Sequence, residues 1–145
     1  MEVFKDKYII STDKSRLDIP FIHHYLSHSS YWAEQVPVDT VIKAIEGSLC
    51  FGVYEGDKQV GFARMVTDSA TFAYLADVFI DEAYRGRGLS KWLIGVILSH
   101  PRLQGLRRIL LATRDAHGLY AQFGFTPLNM PERLMHIHNP DVYKR

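Results

Sequence analysis

The feature that most constrains this chain is the junction at residues 83–92, "AYRGRGLSKW", where a run of strands turns directly into a helix. Upstream, "SLCFGVYEGDKQVGFARMVTDSATFAYLADVFID" predicts consecutive strands at 49–55, 59–67 and 71–81. Within it, "EGDK" (55–58) signals a tight hairpin and "TDSA" (67–70) a second turn. Downstream, the spacing predicts a helix over 88–99 that Pro101 keeps from continuing, then a buried strand "RRILLAT" at 107–113. A strand–helix–strand crossover makes its flanking strands parallel, whereas the preceding meander is antiparallel. The sheet is therefore expected to be mixed and the class α/β.

The rest of the chain fills in around that junction. "KYIIST" (7–12) reads as a short strand, and a helix over 19–28 starts from Asp18 as N-cap, with Pro20 in its first turn. A second helix spans 37–47, with Val38, Val41, Ile42 and Ile45 on one stripe and Gly47 as its stop. A short helix at 115–122, capped by Asp115, precedes a strand pair at 123–128 and 134–139. The expected order is β-α-α-β-β-β-α-β-α-β-β. No linker, repeat or low-complexity block interrupts the 145 residues, which predicts one domain over 1–145.

Composition excludes several functions. A net charge of +1 argues against a protein built to wrap nucleic acid, and Cys50 alone forms no internal disulfide. The longest apolar helical run, "WLIGVIL" (92–98), is too short to span a bilayer, and the charged "MEVFKDKYII" carries no secretory signal. The expectation is a soluble, cytoplasmic protein with no membrane partner.

The turn itself points to an anion. The first N–H groups of a helix lack intrahelical partners, and the helix dipole adds positive character there. Gly86 and Gly88 let the backbone approach a ligand closely, while Arg85, Arg87 and Lys91 add charge. A Walker loop or a dinucleotide fingerprint would need glycine at 91, where this chain has Lys. The alternative for a bare Gly-x-Gly is a solvated surface turn.

Context decides between these. "VFIDEAYRGRGLSKWLI" followed by "ILLATRDAHGLYAQFGF" resembles the GNAT superfamily of acetyl-CoA-dependent N-acetyltransferases. The family's phosphate motif, Arg/Gln-x-x-Gly-x-Gly/Ala, corresponds to Arg85, Gly86, Arg87, Gly88, Leu89 and Ser90, with serine at the last place. A second motif, Leu-Tyr and then Gly-Phe, is present as Leu119, Tyr120, Gly124 and Phe125. Where many relatives carry Asn before that Tyr, this chain has Thr113. The resemblance covers 49–128 and implies the GNAT fold, a mixed central β-sheet flanked by helices.

It also implies a chemistry: acetyl transfer from acetyl-CoA to a primary amine by direct attack. Tyr120 would be the general acid toward the departing thiolate, and a backbone N–H near Val78 or Phe79 would meet the developing oxyanion. The edge at Val78, Phe79 and Ile80 would pair with the pantetheine amides as an added strand does, and Arg85, Arg87 and Lys91 would face phosphates. Asp77, a carboxylate in an apolar strand, is either the base or the partner of Arg64, and His117 is a rival base. Strand alternation would set Asp77 and Phe79 on one face and Ala76, Val78 and Ile80 on the other.

In the family arrangement the segment "FIHHYLSHSSYWAEQ" (21–35) lies over the acceptor, which makes His28, Tyr31 and Trp32 candidate pocket residues. His24 and His28 have the spacing of a metal pair, but with no third ligand apparent no metal is expected. His136 and His138 read as structural, and Arg102 with "RRI" (107–109) as solvated or near the cofactor's 3′-phosphate. The leading acceptor is a small-molecule amine; a protein N-terminus or lysine, and a non-catalytic acyl-CoA sensor, are the alternatives. The resemblance leaves a homodimer open.

Overall fold

Helix gives way to sheet where the hydrophobic period changes, just after Gly47. The computed structural model describes residues 1–144. Strands β1 (Glu2–Lys5) and β2 (Tyr8–Ser11) form an N-terminal hairpin, followed by helices α1 (Ile19–His28) and α2 (Val38–Glu46). The meander is β3 (Leu49–Glu55), β4 (Lys58–Thr67) and β5 (Phe72–Ile80). Helix α3 (Leu89–Ser99) crosses over to β6 (Arg108–Leu111), and the short α4 (His117–Ala121) follows. The six strands lie in chain order, antiparallel throughout except for the parallel pair β5–β6. This is the mixed sheet flanked by helices that the crossover required.

Local chemistry explains the boundaries. The Asp18 carboxylate accepts from the Phe21 N–H at 3.1 Å and so caps α1, and Pro20 sits in the first turn, where its missing N–H costs no bond. The β3–β4 hairpin closes on Glu55 opposite Lys58, with Gly56 at φ +59°.

The element order departs from expectation at both ends. An additional strand, β1, precedes the anticipated one, and neither 123–128 nor 134–139 forms a strand. Pro127 and Pro131 remove two N–H donors from that stretch, and Pro131 opens a 3-10 turn, Pro131–Arg133. "LMHIHN" keeps the alternation of a strand, but no strand lies beside it among the described residues.

Each face of the sheet holds its own apolar cluster. Phe51, Val53, Ala63, Met65 and Leu75 pack with Leu93, Ile94 and Ile97 of α3, and with Tyr120. Cys50, Phe62 and Phe79 pack on the other face with Ile22 and Leu26 of α1 and Val41 and Ile45 of α2. Burying side chains of this size contributes about 1.5–3 kcal/mol each.

β5 is broken where the two clusters hand over. The register passes from Phe62↔Phe79 to Arg64↔Ala76, so Asp77 and Val78 together oppose Ala63, and Asp77 adopts φ +54°. Simple alternation therefore fails. Ala76, opposite Arg64, faces the α1–α2 side with Asp77 and Phe79, while Val78 and Ile80 pack toward α3. The bulge coincides with separation from β6: parallel pairing ends at Leu75↔Leu111, leaving residues 76–80 with an open edge.

Candidate active site

The open edge of β5 leads straight into the glycine turn. Gly86 and Gly88 have φ +78° and +76°, left-handed values that cost other residues about 1–2 kcal/mol. A Cβ added at either would meet no heavy atom within 4 Å, so the space outside the turn is open to a ligand. Gly88 is the N-cap of α3 and offers no side-chain cap, and the first intrahelical bond runs from Trp92 N to Gly88 O at 3.1 Å. The N–H groups of Leu89, Ser90 and Lys91 thus face outward at the positive end of an 11-residue helix.

The arginines of the turn do something different. Arg85 donates to the Ile80 carbonyl at 3.2 Å and to the Tyr25 hydroxyl at 2.8 Å. Arg87 donates to the Tyr8 hydroxyl at 2.8 Å and to the Ala83 carbonyl at 3.4 Å, with its guanidinium 4.9 Å from the Tyr84 ring centroid. Both brace the turn against β2, α1 and β5. Lys91 is exposed on α3.

Where β5 and β6 part, a cavity of about 650 Å³ opens between the sheet, the α1–α2 loop and the β6–α4 loop. Val78, Leu111, Thr113 and Tyr120 line one end. Tyr120 is buried, edge-on to Phe125 with centroids 5.8 Å apart. Burial, and then the neighbouring Tyr31, push its pKa above the usual phenol value, so it holds its proton through neutral pH. Thr113 accepts from the Ala116 N–H at 3.0 Å and so secures the start of α4; Asp115 does not make the expected cap.

Aromatic and small apolar residues form the other end. Trp32 Nε1 donates to Asp77 Oδ1 at 2.8 Å, and Tyr31 accepts from the Arg114 N–H at 3.1 Å. The Arg114 guanidinium lies 3.9 Å from the Tyr31 centroid, and the Tyr31 and Trp32 rings meet edge to face at 5.0 Å. The α1–α2 loop is thereby tied to both sides of the opening. Asp77 Oδ2 accepts from Arg64 Nε at 2.6 Å, and Arg64 Nη1 donates to Ser48 Oγ at 3.2 Å. Both Asp77 oxygens are engaged. Its left-handed backbone is held by this network, and aspartate is among the few side chains that tolerate that conformation.

The structure thus brings Asp77, Val78, Thr113, Tyr120, Tyr31 and Trp32 onto one cavity. It leaves His28 outside: that residue is exposed and stacks on His24 at 4.5 Å. His117 is exposed at the first position of α4 and does not line the cavity. His136 and His138 are exposed rather than structural. Among the described residues no group of three or more His, Cys, Asp or Glu is gathered for a metal, and no helix is long and apolar enough to cross a membrane. Sequence reasoning missed the α2 wall (Thr40, Val41, Ala44) and Tyr143. The stripe of α2 was visible, but nothing local to Tyr143 announces where the tail places it.

The parted sheet, the glycine-opened helix start and a buried phenol at the parting thus lie on neighbouring elements. The chain belongs to the acetyltransferase (GNAT) family, whose profile matches residues 19–125, and it is an acyltransferase. A Gibberella zeae protein named as an acetyltransferase is 34% identical over 137 residues, covering 79% of this chain and 76% of its own. A crystal structure of a GNAT-family protein from Xanthomonas campestris is 50% identical, covering 98% of this chain and all of its own, with TM-score 0.94. The fold is shared by a GNAT acetyltransferase from Elizabethkingia anophelis with acetyl-CoA bound, 12% identical, covering 86% and 80% of the two chains at TM-score 0.64.

Proposed function

We propose that this acyltransferase moves an acetyl group from acetyl-CoA to the primary amine of a small molecule, with Tyr120 as general acid. The observation that carries the reading is the buried, protonated Tyr120 on the cavity wall beside the open 76–80 edge. Acetyl-CoA supplies the activated acetyl thioester. The chain's residues fit such a carrier: the space outside Gly86 and Gly88 is open, and the N–H groups of Leu89, Ser90 and Lys91 point outward to phosphate oxygens. Along the edge at Val78, Phe79 and Ile80, Phe79 pairs with Phe62 of β4 and the Ile80 carbonyl accepts from Arg85, so Val78 is the residue that offers backbone groups to amides and an N–H to a developing oxyanion. Thr113 stands where the cofactor arm would pass.

Each remaining side chain has a task in that cleft. Tyr120 Oη carries the proton that a departing thiolate needs. Asp77, held by Arg64 and Trp32, fixes the wall facing the acceptor and is a positioning residue. The amine then reacts as its own neutral fraction, since an ammonium has no lone pair and ordinary primary amines titrate near ~10.

Thiol release from acetyl-CoA with a panel of small amines and free-N-terminal peptides tests the reading. The expected result is turnover with a compact amine, with kcat/KM rising about tenfold per pH unit between pH 6 and 9. Binding of CoA without thiol release from any member of the panel would favour the sensor instead.

A further inference from the structure

Past Phe125 the chain lies beside Arg108 of β6 through Leu128, Met130 and Leu134, and it meets the α1–α2 cluster at Tyr143. Between them lies a strap open to solvent: Met135 is 95% exposed and Ile137 fully so at 104%. The return is made by a turn bonded to itself. Asp141 N donates to Asn139 Oδ1 at 3.2 Å, Val142 N to Asn139 O at 3.4 Å and Lys144 N to Asp141 O at 3.0 Å. A Lys144–Asp141 ion pair at 2.7 Å closes the same turn, and Pro140 fixes its φ. Val142 is 59% exposed, whereas the next residue, Tyr143, packs against the cluster of α1 and α2 and lines the cavity. The turn thus seats one aromatic ring on the cavity wall beside α1 and α2.

We propose that Tyr143 is a specificity-determining residue: the C-terminal turn walls off the acceptor end of the cavity, admitting a compact amine with an aromatic or aliphatic body and excluding a peptide chain. This rests on the acetyl-transfer reading above. The rings of Tyr31, Trp32 and Tyr143 supply π-faces, and Val36, Val41 and Ala44 supply methyl surface. The charges deepest in that wall, Arg64 and Asp77, neutralise each other, so a polyamine finds no free acidic cluster there. A peptide would need an open path along which its backbone could pair, and the returning turn occupies that end.

The test uses the full-length protein with CoA bound, so that no turnover occurs. CoA affinity is measured first by calorimetry; 2-phenylethylamine and trialanine amide are then titrated into wild type, Tyr143→Ala and Tyr143→Phe. Wild type is expected to bind the amine and not the peptide. Tyr143→Ala should bind the amine about tenfold more weakly and gain measurable peptide binding, while Tyr143→Phe keeps the wild-type preference. CoA affinity should stay within about twofold in both variants. Tyr143→Ala with unchanged amine affinity, or wild type binding the peptide as well as the amine, overturns the proposal. So does wild type that binds CoA but not 2-phenylethylamine. Failure to bind CoA at all overturns the acetyl-transfer reading and this proposal with it, and the first titration reveals that separately.

Discussion

The glycine turn and the acceptor wall of the cavity are built on opposite plans. At the glycine turn the groups left without a partner are the backbone N–H donors of the helix start, and the arginines are tied to tyrosine hydroxyls as braces: Arg85 to Tyr25, Arg87 to Tyr8. At the acceptor end the backbone recedes and the wall is made of side chains drawn from distant segments: Trp32 on Asp77, Tyr31 on Arg114, and Tyr143 from the tail. On the acetyl-CoA reading proposed above, a backbone cradle would recognise what every acyl-CoA shares. A side-chain wall can change its acceptor without disturbing that cradle, so variants at the two ends should separate cleanly.

Tyr120 lines the cavity where β5 and β6 part, and its loss should have the largest effect. Tyr120→Phe keeps the ring against Phe125 and removes only the proton donor, so kcat should fall by ~10²–10⁴ while CoA affinity holds. Because burial raises the phenol's pKa, the wild-type alkaline limb should lie above the usual tyrosine value near ~10 and vanish in the variant. Equal single-turnover rates for the two proteins would assign Tyr120 to packing alone.

The cradle comes next. Gly88→Val forces a β-branched residue into φ +76° and places methyls in the open space outside the helix start. CoA affinity measured by calorimetry should fall on the order of fiftyfold, with a thermal melt reporting the cost of the strain separately. Wild-type affinity in a folded Gly88→Val protein would mean that phosphate is held by side chains after all.

This contrast also decides what could be read in the sequence. The glycine turn was legible because all its parts are consecutive: two glycines, a helix start and the preceding strand fall within residues 76–91. Helix α1 was legible from Asp18 to His28 for the same local reason. The bulge was not, because what holds Asp77 left-handed is Arg64 and Trp32, both remote in the chain. Strict alternation therefore put Ala76 on the wrong face. His28 was counted into the acceptor pocket by its nearness to Tyr31, but α1 turns it outward and stacks it on His24. The alternation in "LMHIHN" describes a strand with no neighbour, since pairing depends on what lies alongside as well as on pattern.

Asp77 sharpens the comparison from the acceptor side. Asp77→Asn keeps a residue that tolerates φ +54° and an oxygen for Trp32, but strips the charge from Arg64. The expected result is a stability loss of about 1–2 kcal/mol and a several-fold rise in acceptor KM, with CoA affinity unchanged. A fall in kcat of a hundredfold or more at constant KM would instead make Asp77 the base.

The smallest effect tests the claim that the turn's arginines are braces. Arg87→Ala removes the bond to the Tyr8 hydroxyl and the stack on Tyr84, both of which tie the turn to the protein rather than to a ligand. The side chain is solvent-exposed, so losing these contacts should barely move the thermal melt. CoA binding should weaken no more than about threefold, because the N–H groups of Leu89, Ser90 and Lys91 stay with the helix, which remains capped by Gly88. Salt separates the two pictures further. A phosphate held by the Arg87 guanidinium would lose much of its affinity between low and high ionic strength, and the mutant would lose that dependence. A backbone cradle keeps nearly the same salt dependence in both proteins. A tenfold or greater loss of affinity in Arg87→Ala, with the salt dependence gone, would make Arg87, tied to Tyr8 in the free protein, a ligand of the bound one.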